Sequence, residues 1–292
     1  MVTGRATSTV VDVTVFLLLV GAAATAVVGA VTVDPPEAAN PAADSAELLA
    51  TSTASVEYAL DSPGRPPEWT ANATARHRRT AHGTIAELLA ESAMSGVTVH
   101  GERLSTAGRG FERAVANTTR ERLSESGRQT SVRVRWEPYP GAPVRATTRV
   151  GEQPPPSADV RTATVSVASP MANATSRARR GAHEAGYLGV AVVVASTVVE
   201  GLFPPSQARL ALRGDYPGDR LMAARYRQMA RLTDADGLPL DSESAADLNA
   251  RLTVHLAGDL AADMRQRFDT PAAAARAVHT ERVRVTVRTW SA

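Results

Sequence analysis

Apolar positions fall into three kinds of run along this chain. Residues 13–33 (VTVFLLLVGAAATAVVGAVTV) carry no charge. At about 1.5 Å per residue the run reaches roughly 30 Å, the depth of a bilayer's hydrocarbon core. Further on, the period drops to two. Val132, Val134 and Trp136 alternate with Arg133, Arg135 and Glu137, and Val283, Val285 and Val287 with Arg284, Thr286 and Arg288. This alternation predicts strands with one buried face. Residues 55–60, 97–99 and 160–168 also read as strands. The helical period appears elsewhere. Thr84 and Glu87 have capping-box spacing, Ile85, Leu88, Leu89 and Ser92 follow on one face, and Gly96 stops the helix. Phe111, Ala114, Val115, Thr118 and Leu123 suggest a second helix, ended near Gly127. Leu221, Met222, Tyr226, Met229 and Leu232 mark a third. Leu248, Leu252, Leu256, Leu260, Met264 and Phe268 mark a fourth, with Asp241 or Ser242 as its expected cap. Thr270-Pro271 opens another, with Pro at the first helical position.

A second apolar run, residues 186–203, is shorter. Glu200 interrupts it, Pro204 and Pro205 end it, and Arg177, Arg179 and Arg180 precede it. Those arginines would lie outside if this helix re-entered a membrane, against the positive-inside rule, so a buried core helix is expected. Strands and helices interleave without strict βαβ order, which predicts an α+β class. The organisation read from sequence is a cytoplasmic leader over residues 1–12, a transmembrane helix over 13–33, a Pro- and acid-rich spacer over 34–49, and a mixed α+β domain over 50–292.

Charge sets the orientation of the first run. Arg5 precedes it, while Asp34, Glu37, Asp44 and Glu47 follow it, and no Arg appears until Arg65. The positive-inside rule then predicts a single-pass cell-membrane protein with a cytoplasmic N-terminus and an extracytoplasmic C-terminal domain. The run reads as a retained signal anchor, as a cleaved secretory signal with a small-residue site at Val28-Gly29-Ala30, or as a pilin-type signal. There is no cysteine and no lysine, so all 32 basic residues besides His are Arg. Disulfides, thiolate chemistry, a phosphate-binding lysine and a Schiff base are excluded. The formal net charge of +2 argues against a nucleic-acid-coating protein.

The pilin reading rests on Arg5-Ala6-Thr7-Ser8 followed by Thr9-Val10-Val11-Asp12-Val13, which resembles the start of archaeal type IV pilin-like proteins. The wider chain, including Arg288-Thr289-Trp290-Ser291, is similar to haloarchaeal membrane-anchored proteins of pilus and secretion gene clusters. The resemblance implies a basic leader cut before the apolar helix, near Ala6. It also implies an acidic residue, here Asp12, that neutralises a subunit amine during assembly. Asp12 has a plainer reading too, as a carboxylate reaching the interface at the cytoplasmic end of a simple anchor.

Catalytic motifs are not evident. His183-Glu184 lacks the second His of a zinc-protease helix, and the six His residues make no ligand spacing. Asp234-Ala235-Asp236-Gly237, with Asp241 and Glu243 beyond, falls short of a calcium loop and suits an Asp-Gly turn. The clusters at 76–79 and 177–180 have no interleaved aromatics, so they read as solvated arginine faces rather than nucleic-acid surfaces. Three of the five Asn residues, Asn72, Asn117 and Asn173, stand in glycosylation sequons, which suits a surface location. No cofactor or metal is expected. The expected partners are the lipid bilayer and subunits of a pilus or secretion machine. The expected function is a membrane-anchored, non-enzymatic cell-surface protein. The alternative is an exported binding module or enzyme with a site that spacing does not reveal.

Overall fold

The computed structural model describes residues 40–60, 78–124, 128–214, 217–235, 237–240 and 244–291. The chain divides at Asn40, and Pro41–Ala292 forms one compact unit. Residues 1–39, and with them the expected leader and membrane helix, lie outside the described residues.

Among the described residues the unit is α+β. Its main sheet is antiparallel throughout and uses β3 (Thr98–Val99), β4 (Glu102–Arg103), β5 (Gln129–Trp136), β6 (Val144–Val150), β7 (Arg161–Ala168) and β8 (Arg282–Trp290) in the order β4-β3-β6-β5-β8-β7. Period-two patterning sets one face inward. Val132, Val134, Trp136, Val144, Ala146, Val283, Val285 and Val287 are all buried there. Two helices cover this face, α1 (Pro41–Thr51) and α2 (Ile85–Ser95). The helix α1 corrects the expected spacer over 34–49. Ala42, Ser45, Ala46 and Leu49 repeat at helical spacing and are buried, so residues 41–49 fold onto the sheet; residues 34–39 of the expected spacer lie outside the described residues. The expected capping box opens α2: Thr84 accepts from the Glu87 N–H at 3.2 Å, and Glu87 accepts from the Thr84 N–H at 2.8 Å. A separate hairpin pairs β1 (Thr53–Ala59) with β2 (Arg78–Thr84). The helix α3 (Arg109–Ser124) packs on it, with the Phe111 ring 4.8 Å from that of Tyr58.

The second half of the unit is largely helical: α4 (Thr175–Leu202), α5 (Pro205–Leu212), α6 (Gly218–Leu232), α7 (Ala245–Arg267) and α8 (Pro271–Ala277). The helix α4 is not straight. Ala185 and Gly186, the latter at φ +61, leave the helical region and split it into two arms. The arms fold against each other at Gly181 and Gly189, whose backbones touch: a Cβ on Gly189 would sit 2.0 Å from the Gly181 carbonyl oxygen. Arg177 ties the arms further, donating to the Thr197 hydroxyl at 2.9 Å, so it is not part of a purely solvated basic face. The second arm, residues 187–202, is about 24 Å long, short of a bilayer's hydrocarbon depth. It lies along α7. Val190, Val194 and Val198 on one side and Leu248, Leu252, Leu256, Leu260 and Met264 on the other are fully buried. Each such side chain contributes about 1.5–3 kcal/mol by leaving water. The ends are fixed by polar bonds: Tyr187 Oη donates to the Phe268 carbonyl at 2.5 Å, and Asn249 Nδ2 to the Phe203 carbonyl at 2.7 Å. The cap of α7 is Ser244, which accepts from the Asp247 N–H at 3.3 Å; Asp241 and Ser242 lie outside the described residues.

The turn after β5 joins sheet to helices. Buried Glu137 accepts from Arg135 Nη2 at 2.6 Å and from the Gly141 N–H at 3.0 Å. Tyr139 donates to Asp263 Oδ2 at 3.0 Å, which also accepts from Arg267 Nε at 2.7 Å. Burial first, and then the Asp263 carboxylate, push the Tyr139 phenol above its usual range, so it stays a donor.

Two glycine substitutions test the hairpin. Gly189→Ala should lower the melting temperature markedly, because the arms must separate. Gly258→Ala, on the exposed side of α7 with nothing within 4 Å of its Cβ, should raise stability by about 0.5–1 kcal/mol. Equal responses in thermal denaturation would remove the arm contact from the fold.

Candidate functional site: an arginine-covered sheet face

Among the described residues, helices cover one side of the main sheet, and the other side of its long strands is built from the alternate residues. Outward on β6 stand Arg145, Thr147 and Arg149, and on β5 stand Ser131, Arg133 and Arg135. Outward on β8 stand Arg282, Arg284, Thr286 and Arg288, and on β7 Thr162, Thr164 and Ser166. The register brings like charges opposite one another. Arg133 faces Arg149 on one side and Thr286 on the other, and Arg135 faces Arg284. Arg288 lies between Ser131 and Thr162. No carboxylate occupies an outward position on these four strands.

Three of the arginines have neighbours at their ends. Arg135 is held by Glu137, Arg284 Nη2 lies 3.1 Å from His279 Nε2, and Arg282 Nε lies 3.9 Å from Glu281. Among the described residues, Arg133, Arg145, Arg149 and Arg288 have no acidic partner. Arg133 is the centre of the patch. Its Nε is shielded from solvent and makes no hydrogen bond. Burial, then the charges of Arg149, Arg135 and Arg288, push its guanidinium below the usual range, and the nearby Glu137 carboxylate offsets this only in part. Like charges directly across a sheet destabilise it by roughly 0.2–1 kcal/mol per pair. A folded chain that keeps two such pairs, with small Thr and Ser residues between them, presents a cationic surface. Trp290, the one aromatic in outward register on these strands, is 8% exposed, so no ring is offered for base stacking.

Sequence reading found the alternating arginines of β5 and β8 but not this face. Its assembly needs the pairing of β5 with both β6 and β8, and β6 was not recognised as a strand. The candidate residues it did single out lie elsewhere. Asp12 and Asn72 are outside the described residues. Asn117 is exposed on α3, where its Oδ1 accepts from Arg120 at 2.7 Å; the Thr119 hydroxyl of that sequon is buried and bonded to the Val115 carbonyl at 2.8 Å. Asn173 is exposed just before α4, and its Oδ1 accepts from the Thr175 N–H at 3.0 Å. The structure does not bring these asparagines to the arginine face. His255, on α7, is exposed. Among the described residues no three His, Asp or Glu side chains converge as a metal site.

The repulsion on this face is measurable. Arg133→Thr should raise the melting temperature at low salt, by about 2–4 °C for a gain near 1 kcal/mol. In 1 M NaCl, where screening falls to about 3 Å, the gain should shrink. A loss of stability at both salt concentrations would mean that Arg133 supports the fold.

No curated protein and no solved structure matches this chain. One family does, over residues 11–290, and it is described only as a family of unknown function. That match takes in nearly the whole chain, arginine face included, and the chain therefore belongs to the DUF7284 family.

Proposed function

We propose that this chain is a membrane-anchored, non-enzymatic cell-surface protein that docks an acidic protein partner on the arginine face, as a subunit or accessory of a pilus- or secretion-type assembly. In this reading residues 13–33 hold it in the membrane, the N-terminus is cytoplasmic and the α+β unit lies outside. The observation that carries the binding role is the set of four outward arginines without an acidic partner, centred on Arg133. Guanidinium forks match carboxylates bidentately, and a patch of one sign steers and orients an oppositely charged surface. Support for the anchor is the uncharged run itself, with Arg5 before it and Asp34, Glu37, Asp44 and Glu47 after it. In the pilin-like form of the reading, Asp12 pairs with a subunit amine after the leader is cut. A second reading, an exported binding module for a small solute, is favoured by a cleft beside α6.

Crosslinking in intact cells tests the proposal. The wild type and an Arg133→Gln, Arg149→Gln, Arg288→Gln variant are compared at equal membrane levels, and protease is added outside to wall-stripped cells. The α+β unit should be digested from outside, and the variant should lose acidic protein partners that the wild type captures. Full protection from protease would contradict the orientation. Identical partner profiles would contradict docking on this face, and loss of binding only to anionic lipid vesicles would reassign its partner to the bilayer.

A further inference from the structure

A second arginine cluster lies on α6, apart from the sheet face. One side of α6 and the connection between β4 and α3 enclose a cleft of about 760 Å³, within the usual size of small-molecule sites. Leu221, Ala224, Arg225, Gln228 and Arg231 recur at helical spacing along its wall, and Arg227 also lines it. Leu104 and Leu238 supply apolar surface opposite. Gln228 ties the two walls, donating from Nε2 to the Arg103 carbonyl at 3.1 Å, and Arg231 hydrogen-bonds Gln228 Oε1.

The charges in the cleft are unequal. Arg103 is neutralised by Glu112. Arg225 is not neutralised by any described group. Its guanidinium lies 5.3 Å over the Phe203 ring, its Nε is shut off from solvent without a hydrogen-bond partner, and no carboxylate pairs with it. Desolvation pushes it below the usual arginine range. An aromatic face compensates a buried guanidinium only in part. Arg227 and Arg231 add charge without an acidic partner among the described residues. Arg225, Arg227 and Arg231 line the cleft together with Leu104, Leu221 and Leu238, and no acid is among its lining residues.

We propose that this cleft binds a small organic phosphate monoester, its dianion on Arg225 and Arg231 and its apolar part against Leu104, Leu221 and Leu238. A dianion answers more than one of the unpaired guanidiniums, and a phosphate accepts bidentate forks from two arginines at once. Arg225 also borders a second cleft of about 900 Å³. That one contains Glu87 and Glu91, whose carboxylates oppose an anion, so the first cleft is the site.

The test uses the full chain purified in a non-ionic detergent, with phenyl phosphate, inorganic phosphate and benzoate as probes at matched ionic strength. Binding is followed by calorimetry and by the shift in melting temperature. Phenyl phosphate should bind saturably and raise the melting temperature, with inorganic phosphate and benzoate weaker. Arg225→Met should lower affinity roughly tenfold or more while the ligand-free protein melts no lower than the wild type, because an uncompensated buried charge is removed. Arg231→Gln should weaken binding severalfold and leave the ligand-free melt unchanged, and it decides the matter if Arg225→Met does not fold. Absence of a saturable response in the wild type would overturn the proposal, as would benzoate binding as well as phenyl phosphate. Wild-type binding retained in Arg231→Gln would remove the anion from this cleft.

Discussion

The pleat of an antiparallel sheet sends successive side chains to opposite faces, and this constraint organises the compact unit. On β5 and β8 the inward series is valine and the outward series is largely arginine, so neither strand can slip by one residue without burying guanidiniums. Among the described residues, helices cover the valine side alone. On the other side no described helix packs, and there the register gathers charge of one sign.

In the proposed reading that division separates stability from recognition. The core is carried by valine and leucine in the sheet, α2, α4 and α7, with polar bonds fixing the joints: Trp136 to the Thr280 carbonyl at 2.8 Å, Tyr139 to Asp263, Asn249 to Phe203. With only 4% aromatics, close backbone approach supplements bulk, as at Gly181 and Gly189, where two helix arms meet without side chains between them. Arginines without an acidic partner among the described residues, on the sheet and at Arg225, oppose folding. Their retention makes sense as a constraint from binding, since buried or crowded charge of one sign is tolerated where a partner supplies the other.

Much of this was legible locally. The alternation at Val132–Trp136 and Val283–Val287, the Thr84–Glu87 capping box and the leucine repeat of α7 each carry their own signal within a few residues. What was not legible depends on distant partners. Strand β6 reads Val-Arg-Ala-Thr-Thr-Arg-Val, and Ala146 and Thr148 between the inward Val144 and Val150 break the apolar alternation, so it does not declare a strand without β5 beside it. Strand β2, rich in Arg, Thr and His, is extended only because β1 pairs with it. The proline-bearing stretch before residue 50 resembled a spacer, yet Pro41 suits a first helical turn and Ala42, Ala46 and Leu49 face the sheet. The arginine face is a product of register, which no single strand encodes, and the arm-splitting role of Gly186 becomes visible only once Gly181 and Gly189 meet.

The central claim is that the arginine face is covered by a partner where the protein works. Arginine-specific labelling with phenylglyoxal, read by mass spectrometry, measures that cover directly when native membranes are compared with the purified full chain. The account predicts that Arg145 and Arg149 are protected in membranes and become reactive on purification, while Arg209 and Arg265, exposed on α5 and α7, label equally in both. Equal labelling of all four in both preparations would contradict it.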